Sequence, residues 1–461
     1  MRLDRTRVWM ILLTLATIVG VFHGTHLRDP HVERGDTPAY LAAAYNLARH
    51  GTFSEALTPG EPAPAVGREP ADPALLAVLI RVDSTGLGRV SQTCIEASGP
   101  CAASFRSGQI ANVVLWVLAA LVLAQAVLLL PFGTPLAALI AGAYLLLNFA
   151  AAKWLQWLVS DALALFLVSL TTCLAAWAMR HRSWSAWIPV GLGLGALAMT
   201  KAVFVPFAAL AVLAATFLGA VWRSRRVLLA AAAFGLGFLL VVGPWVARNT
   251  VVTGRPQLTD ARSGIALNLR EVLIHMSPRE YAASLVFWTR GVGDALATRL
   301  FGEETVRPLR FETPGGFFDV GQNGYMPRVE AEVARGLSEP DAYRRVDREI
   351  IGSILGEPLR YLATMVPVFY RGIWIDEFII VGLPALVWAT GPAARARNWA
   401  LLALMSVGWF NLLFYPLISL NIPRYQLTAL PCLALATGLA WNALWGRCTS
   451  RANGSRVDCT E

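Results

Sequence analysis

Val8-Trp9-Met10-Ile11-Leu12-Leu13-Thr14-Leu15-Ala16-Thr17-Ile18-Val19-Gly20-Val21-Phe22 runs without a charge and is preceded by Arg2, Arg5 and Arg7. About 15 apolar residues behind a basic flank fit either a short membrane span or the core of a secretory signal. A cleaved signal would end in a small-residue Ala-x-Ala site. The chain instead continues His23-Gly24-Thr25-His26-Leu27-Arg28, and further apolar runs follow. The stretch therefore reads as an uncleaved first span with its N-terminus in the cytoplasm.

Composition extends this reading to the whole chain. Of 461 residues, 56% are hydrophobic and 15% charged, with a mean hydropathy of +0.53, which is too apolar for a water-soluble protein. A net charge of +9 would suit nucleic acid if it formed one patch. Here the basic residues fall in short groups beside apolar runs: Arg2/Arg5/Arg7, Arg180/His181/Arg182, Arg223/Arg225/Arg226, Arg395/Arg397 and Arg447/Arg451/Arg456. Cytoplasmic loops of membrane proteins collect such charge, so no nucleic-acid partner is expected. All five groups share one side if spans lie near 8–23, 109–130, 135–152, 160–179, 185–200, 202–221, 227–246, 374–390, 398–419 and 424–445. The expected fold is an all-α polytopic membrane protein of about ten spans, with both termini in the cytoplasm. Residues 358–372 are apolar too, but an extra crossing there would turn the later arginine groups outward.

The organisation that follows is residues 1–246 with spans one to seven and a first outer loop at 24–108, an outer segment at 247–372, and residues 373–461 with three spans and a cytoplasmic tail. The outer segment holds 15 of the 30 acidic residues, so it must be solvated. It has helical spacing over 278–301 and 328–357 and a turn at Thr313-Pro314-Gly315-Gly316. Cys94 and Cys101 lie close together in the first outer loop and can bridge if that side is oxidising. Cys173 and Cys432 fall within spans. No Cys/His spacing matches a metal site, and there is no phosphate-binding loop or nucleotide fold. The sequence requires no cofactor, and nothing in it supports a divalent cation.

Chemistry-bearing residues gather at the expected outer side. Gly35-Asp36-Thr37-Pro38-Ala39-Tyr40 opens a short amphipathic helix. Thr37 and Pro38 supply a cap hydroxyl and the favoured first-turn proline, which leaves the Asp36 carboxylate spare. Asp161 stands at the outer end of the fourth span, where an unpaired carboxylate is costly; a helix N-terminal acid is its plainer role. Among 39 basic residues only Lys153 and Lys201 are lysines, and both fall at outer span ends. Arg248 and Arg424 flank outer ends as well, where a lone arginine usually anchors a helix at headgroup level. Carboxylates and cations converging on one face describe a site where an acceptor loses a proton and an anionic group departs.

These motifs resemble the GT-C glycosyltransferases that use polyprenyl-phosphate sugars, the superfamily of the protein O-mannosyltransferases and the bacterial lipid A aminoarabinose transferase. Asp36-x-x-x-Tyr40 is similar to the family's first outer loop, whose acid is the proposed catalytic residue. Gly67-Arg68-Glu69-Pro70-Ala71-Asp72-Pro73 is similar to a following Arg-x-Pro-x-Tyr-Pro pattern, with Asp72 where tyrosine is usual. Ser160-Asp161 resembles the second outer acid, and Gly195-Ala196-Leu197-Ala198-Met199-Thr200-Lys201 a motif that usually ends in arginine. Pro244-Trp245-Val246-Ala247-Arg248-Asn249 and Arg424-Tyr425 resemble later motifs. The resemblance implies inverting transfer of a sugar from a polyprenyl-phosphate donor to a lipid, glycan or protein of the cell envelope. It implies Asp36 and Asp161 as catalytic acids, Arg68, Lys201, Arg248 and Arg424 at the donor phosphate, and Tyr40, Asn249 and Tyr425 lining donor or acceptor. The implied place is the bacterial inner membrane, in contact with its lipids, with the site on the periplasmic or extracellular side. A transporter or lipid flippase is the competing reading; it predicts charges near the bilayer midplane and an internal repeat, and neither is evident.

The topology is tested by reporter fusions at Glu61 and Gly315. Both should report the non-cytoplasmic side, and a cytoplasmic signal from either refutes the map.

Overall fold

The computed structural model describes residues 4–28, 32, 35–57, 60–99, 101–259, 262–311, 313–375 and 378–452. Among the described residues the regular elements are all helices. Seven are long and apolar enough to cross a membrane: Arg5–Thr25, Arg106–Leu129, Asp161–His181, Phe204–Val221, Arg225–Thr253, Trp399–Ile418 and Pro423–Leu444. Three shorter apolar helices, Pro135–Leu146, Trp187–Ala198 and Ile379–Arg395, occupy the remaining expected spans. In hydrocarbon every backbone polar group must be satisfied within the protein, which helices achieve locally. Their outward side chains are apolar: Leu213, Phe217 and Leu239 are more than 60% exposed, a surface suited to lipid. The chain is a multi-pass membrane protein.

Helix ends differ from the expected spans for local reasons. The run 135–152 breaks after Leu146, because the Asn148 side chain accepts a hydrogen bond from the Ala151 amide and starts a new turn. The seventh span does not stop at 246. It continues through Pro244 to Thr253 and ends where Gly254 takes a left-handed backbone, φ +72°. The last span opens with a tight 3-10 turn at Pro423–Ala429 before its α-helix begins at Leu430.

The chain forms two compact units. The first comprises Met1–Thr259, Phe378–Gly408 and Thr428–Glu461; the second, Asp260–Glu377 and Trp409–Leu427. In the first, Trp187–Ala198 lies against Arg225–Thr253 at backbone contact. A Cβ on Gly191 would sit 2.1 Å from the Phe234 carbonyl oxygen, and one on Gly237 2.3 Å from that of Ile188. Small residues permit such approach between membrane helices. The extramembrane part of this unit packs the helices Thr37–His50 and Ala71–Val82 around Tyr40, Leu41, Leu76, Ala77 and Ile80. Cys94 joins the same core and is disulfide-bonded to Cys101, Cα to Cα 4.7 Å.

The second unit is built from short helices. The expected 278–301 helix is two, Pro278–Phe287 and Gly293–Phe301, with Gly291 left-handed (φ +84°) between them. Likewise 328–357 divides into Tyr325–Ala334 and Glu339–Gly356, the second capped by the Ser338 hydroxyl. The turn at 313–316 is present, closed by the Gly316 amide on the Thr313 carbonyl at 2.9 Å. Residues 358–372, weighed as an extra crossing, belong to the 16-residue helix Pro358–Ile373, which buries Thr364, Pro367, Val368 and Gly372 within the unit. Arg270 is fully buried. It donates to the carbonyls of Pro416 (2.8 Å) and Tyr361 and to the Thr364 hydroxyl (2.9 Å). Burial pushes its guanidinium down to about 10.

Overpacking a close-packed contact costs about 1–3 kcal/mol, so Gly237→Leu should lower the melting temperature of the detergent-solubilised protein. Gly243→Leu, in the same helix with open space around it, is the control for the accompanying change in helix propensity. A Gly237→Leu protein as stable as the wild type would show that the two helices do not meet at this point.

Candidate functional site

Asp36 precedes the helix Thr37–His50 in the N-cap position, yet its side chain makes no capping bond. Nor does Thr37 supply the cap expected of it. It is the first helical residue, fully buried, and its hydroxyl has no hydrogen-bond partner. The Asp36 carboxylate instead meets Arg68, Nη1 to Oδ1 2.8 Å. Arg68 is covered, with 7% of its side chain exposed, whereas Asp36 keeps 35% open. Glu55 Oε2 lies 3.9 Å from Arg68 Nε. Burial opposes the charge on Arg68, but Asp36, Tyr40 and Glu55 outweigh it and raise its pKa above the ordinary value.

One turn into the helix, the Tyr40 ring lies under the Arg68 guanidinium, 4.9 Å from carbon to centroid. Its hydroxyl donates to Ser160 Oγ at 3.1 Å. Burial, then the Glu69 carboxylate, push the Tyr40 pKa far above its usual value, so the phenol keeps its proton. Ser160 is followed by Asp161, the first residue of a membrane span, which is 2% exposed and paired with Lys201 Nζ at 2.7 Å. The two acids thus belong to one series of contacts: Asp36, Arg68, Tyr40, Ser160, Asp161, Lys201.

The loop after Arg68 docks on the turn that carries Lys201. Glu69 Oε1 accepts from the Ala202 amide at 3.0 Å, and the Ala71 amide donates to the Met199 carbonyl at 3.0 Å. Asp72, in the first turn of Ala71–Val82, is buried near Tyr40. Arg248 reaches the other end of the same loop. Its guanidinium donates to the carbonyls of Ala65 (2.6 Å) and Phe53 (3.2 Å) and to Asn249 Oδ1 (2.9 Å), and it stacks near Trp245. Asn249, fully buried, spends its amide on the carbonyls of Gln257 and Leu258.

Asp36, Asp161, Arg68, Lys201 and Tyr40 therefore come together, and Arg248 with Asn249 holds the loop between Phe53 and Ala65. Arg424 and Tyr425 belong to the second unit, where the Tyr425 ring stacks on Tyr415 with centroids 5.0 Å apart. Among the described residues no group of three or more His, Cys, Asp or Glu side chains is placed to hold a metal ion. Sequence reading missed Glu55 and the hydroxyl bridge through Ser160. Glu55 has no spacing signal, since an irregular loop brings it back to Arg68. Ser160 adjoins Asp161, and its role depends on a partner 120 positions away.

No family model and no curated protein matches the chain. Among solved structures it is similar to the archaeal oligosaccharyltransferase AglB from Archaeoglobus fulgidus, determined with an inhibitory peptide and a dolichol-phosphate. The TM-score is 0.50 at 12% identity, covering 97% of this chain and 52% of AglB. ArnT from Cupriavidus metallidurans, bound to undecaprenyl phosphate, aligns with a TM-score of 0.38 at 15% identity over 97% of this chain and 80% of that one. The chain spans about half the length of AglB, and at this identity the likeness is one of fold.

Removing one partner of a buried ion pair typically costs about 3–5 kcal/mol. Lys201→Met should therefore destabilise the protein strongly, and adding Asp161→Asn should restore most of the loss, as read by thermal melts. Additive losses in the double variant would show the two charges to be independent.

Proposed function

We propose that the chain is a membrane glycosyltransferase that moves a sugar from a polyprenyl-phosphate donor to a lipid, glycan or protein of the cell envelope, with inversion at the anomeric carbon. The observation that carries the reading is the pair of carboxylate–cation contacts, Asp36–Arg68 and Asp161–Lys201, joined through Tyr40 and Ser160 at the end of a membrane span. The fold shared with AglB agrees with it.

Asp36 is the base. It has the more open carboxylate, and it takes the proton as the acceptor hydroxyl attacks the anomeric carbon. The bond from that carbon to the phosphate oxygen breaks, and negative charge grows on the departing lipid phosphate. Arg68 and Lys201 face that charge, which is where fixed cations lower a barrier. When the phosphate engages Arg68 it draws the guanidinium from Asp36 and makes that carboxylate the stronger base. Asp161 sets the position of Lys201. Arg248 acts through the loop it pins. An apolar cavity of about 130 Å³ lined by Leu194, Leu197, Phe207, Phe234 and Leu404 can take one short segment of an isoprenoid tail. Its lining approaches Lys201 in sequence from both sides. The reaction takes place on the periplasmic or extracellular face of a bacterial inner membrane.

A positioned general base contributes about 10²–10⁴-fold in rate, so Asp36→Asn should lose transfer by that factor at a temperature where it remains folded, with a fall in melting temperature because covered Arg68 loses its charged partner. The assay uses purified protein and a panel of synthetic polyprenyl-phosphate sugars, with mass spectrometry of envelope glycans from cells with and without the gene to identify the acceptor. Transfer by Asp36→Asn at the wild-type rate ends the assignment.

A further inference from the structure

The helix Pro358–Ile373 is strongly one-sided, and the face the fold buries is not its most apolar one. Thr364, Pro367, Val368 and Gly372 are buried. On the opposite side Leu359, Leu362 and Val366 are 81%, 56% and 54% exposed. Spacings of three and four residues put them on one stripe. Leu355, 70% exposed, precedes them at the end of Glu339–Gly356. A contiguous stripe of this kind marks an interaction surface rather than a water-facing one.

Its depth is set by what the other face touches within the same unit. The Tyr361 hydroxyl donates to the Leu417 carbonyl, and the Asn421 amide donates to the Val368 carbonyl at 3.0 Å. Arg270 ties the Thr364 hydroxyl to the Pro416 carbonyl. Pro416 and Leu417 form the last turn of Trp399–Ile418, a helix long and apolar enough to cross the membrane. The helix thus rests on the end of a span, where bilayer gives way to water. Arg360, exposed and paired with Glu357 at 3.0 Å, follows Leu359 in the first turn and suits a lipid headgroup there.

We propose that Pro358–Ile373 lies in the plane of the membrane, with Leu359, Leu362 and Val366 inserted at the boundary between headgroups and acyl chains. Lipid is the occupant because the opposite face of the helix is bonded to the last turn of a membrane span in the same unit, which holds the free stripe at the depth where bilayer meets water. The second unit is then held to the bilayer surface by its own side chains.

The test places a bimane label at Leu362→Cys, and in a second protein at Val366→Cys. Cys173, Cys432, Cys448 and Cys459 are changed to alanine, and the Cys94–Cys101 bridge is kept. The proteins are reconstituted in nanodiscs of phosphatidylcholine and phosphatidylglycerol that contain lipid spin-labelled near the headgroup. A face sunk about 5–10 Å into the interface should be quenched by that lipid about threefold more strongly than a label at the exposed Glu349→Cys. Iodide in the buffer should quench it weakly. Iodide quenching equal to that at Glu349→Cys overturns the proposal. Protection from both quenchers overturns it as well, and a rise in label-to-label excimer with protein density would then identify a second copy as the cover. Gel filtration of each labelled protein verifies its fold before the measurement.

Discussion

Charge at the edge of a low-dielectric slab must be paired, and in this molecule that requirement links helix packing to the candidate site. Asp161 begins a membrane span and is almost wholly covered. Left alone there, a carboxylate would cost several kcal/mol. Its cation comes from the turn between Trp187–Ala198 and Phe204–Val221. That turn is where it is because glycines let the shorter helix settle against Arg225–Thr253 at backbone distance. Helix contact and ion pair are one constraint.

The extramembrane elements then follow from the same turn. Glu69 attaches to it through its carboxylate and Ala71 through its amide, which delivers Arg68 to Asp36. Each acid has a basic partner, and the aromatic ring and hydroxyl between them make the two pairs parts of a single contact series. A charged ligand entering this series displaces existing pairs rather than filling empty space, so its binding exchanges one set of ionic contacts for another.

Much of the fold was legible because long apolar runs and grouped arginines are properties of the sequence itself. The ends of the helices were less so. Asn148 stops one run by capping the next turn, and Pro244 does not stop another, whose helix runs on to Thr253. In the acidic segment helical periodicity continues across Gly291 and Gly336, whose left-handed backbones break the helices. The candidate site was readable as a set of residue types: Asp36, Asp161, Arg68 and Lys201 fall in one series of contacts. Which acid takes which cation was not readable, because the pairing is decided by docked loops. Arg248 illustrates the same gap, since from sequence it is a cation near headgroups and in the fold its donors are turned to backbone carbonyls.

That last arrangement bears on how such a protein can change over generations. Arg248 grips the loop through the main-chain oxygens of Phe53 and Ala65, which every amino acid possesses. The hold is therefore indifferent to the side chains strung between the two anchor points, and those can be exchanged while the loop keeps its station beside Arg68. Arg248 itself has no such latitude, because a lysine ammonium cannot span two carbonyls with a planar fork. One fixed arginine thus leaves a neighbouring stretch free to diversify, a division of labour that lets the loop change its side chains without rebuilding the charged centre beside it.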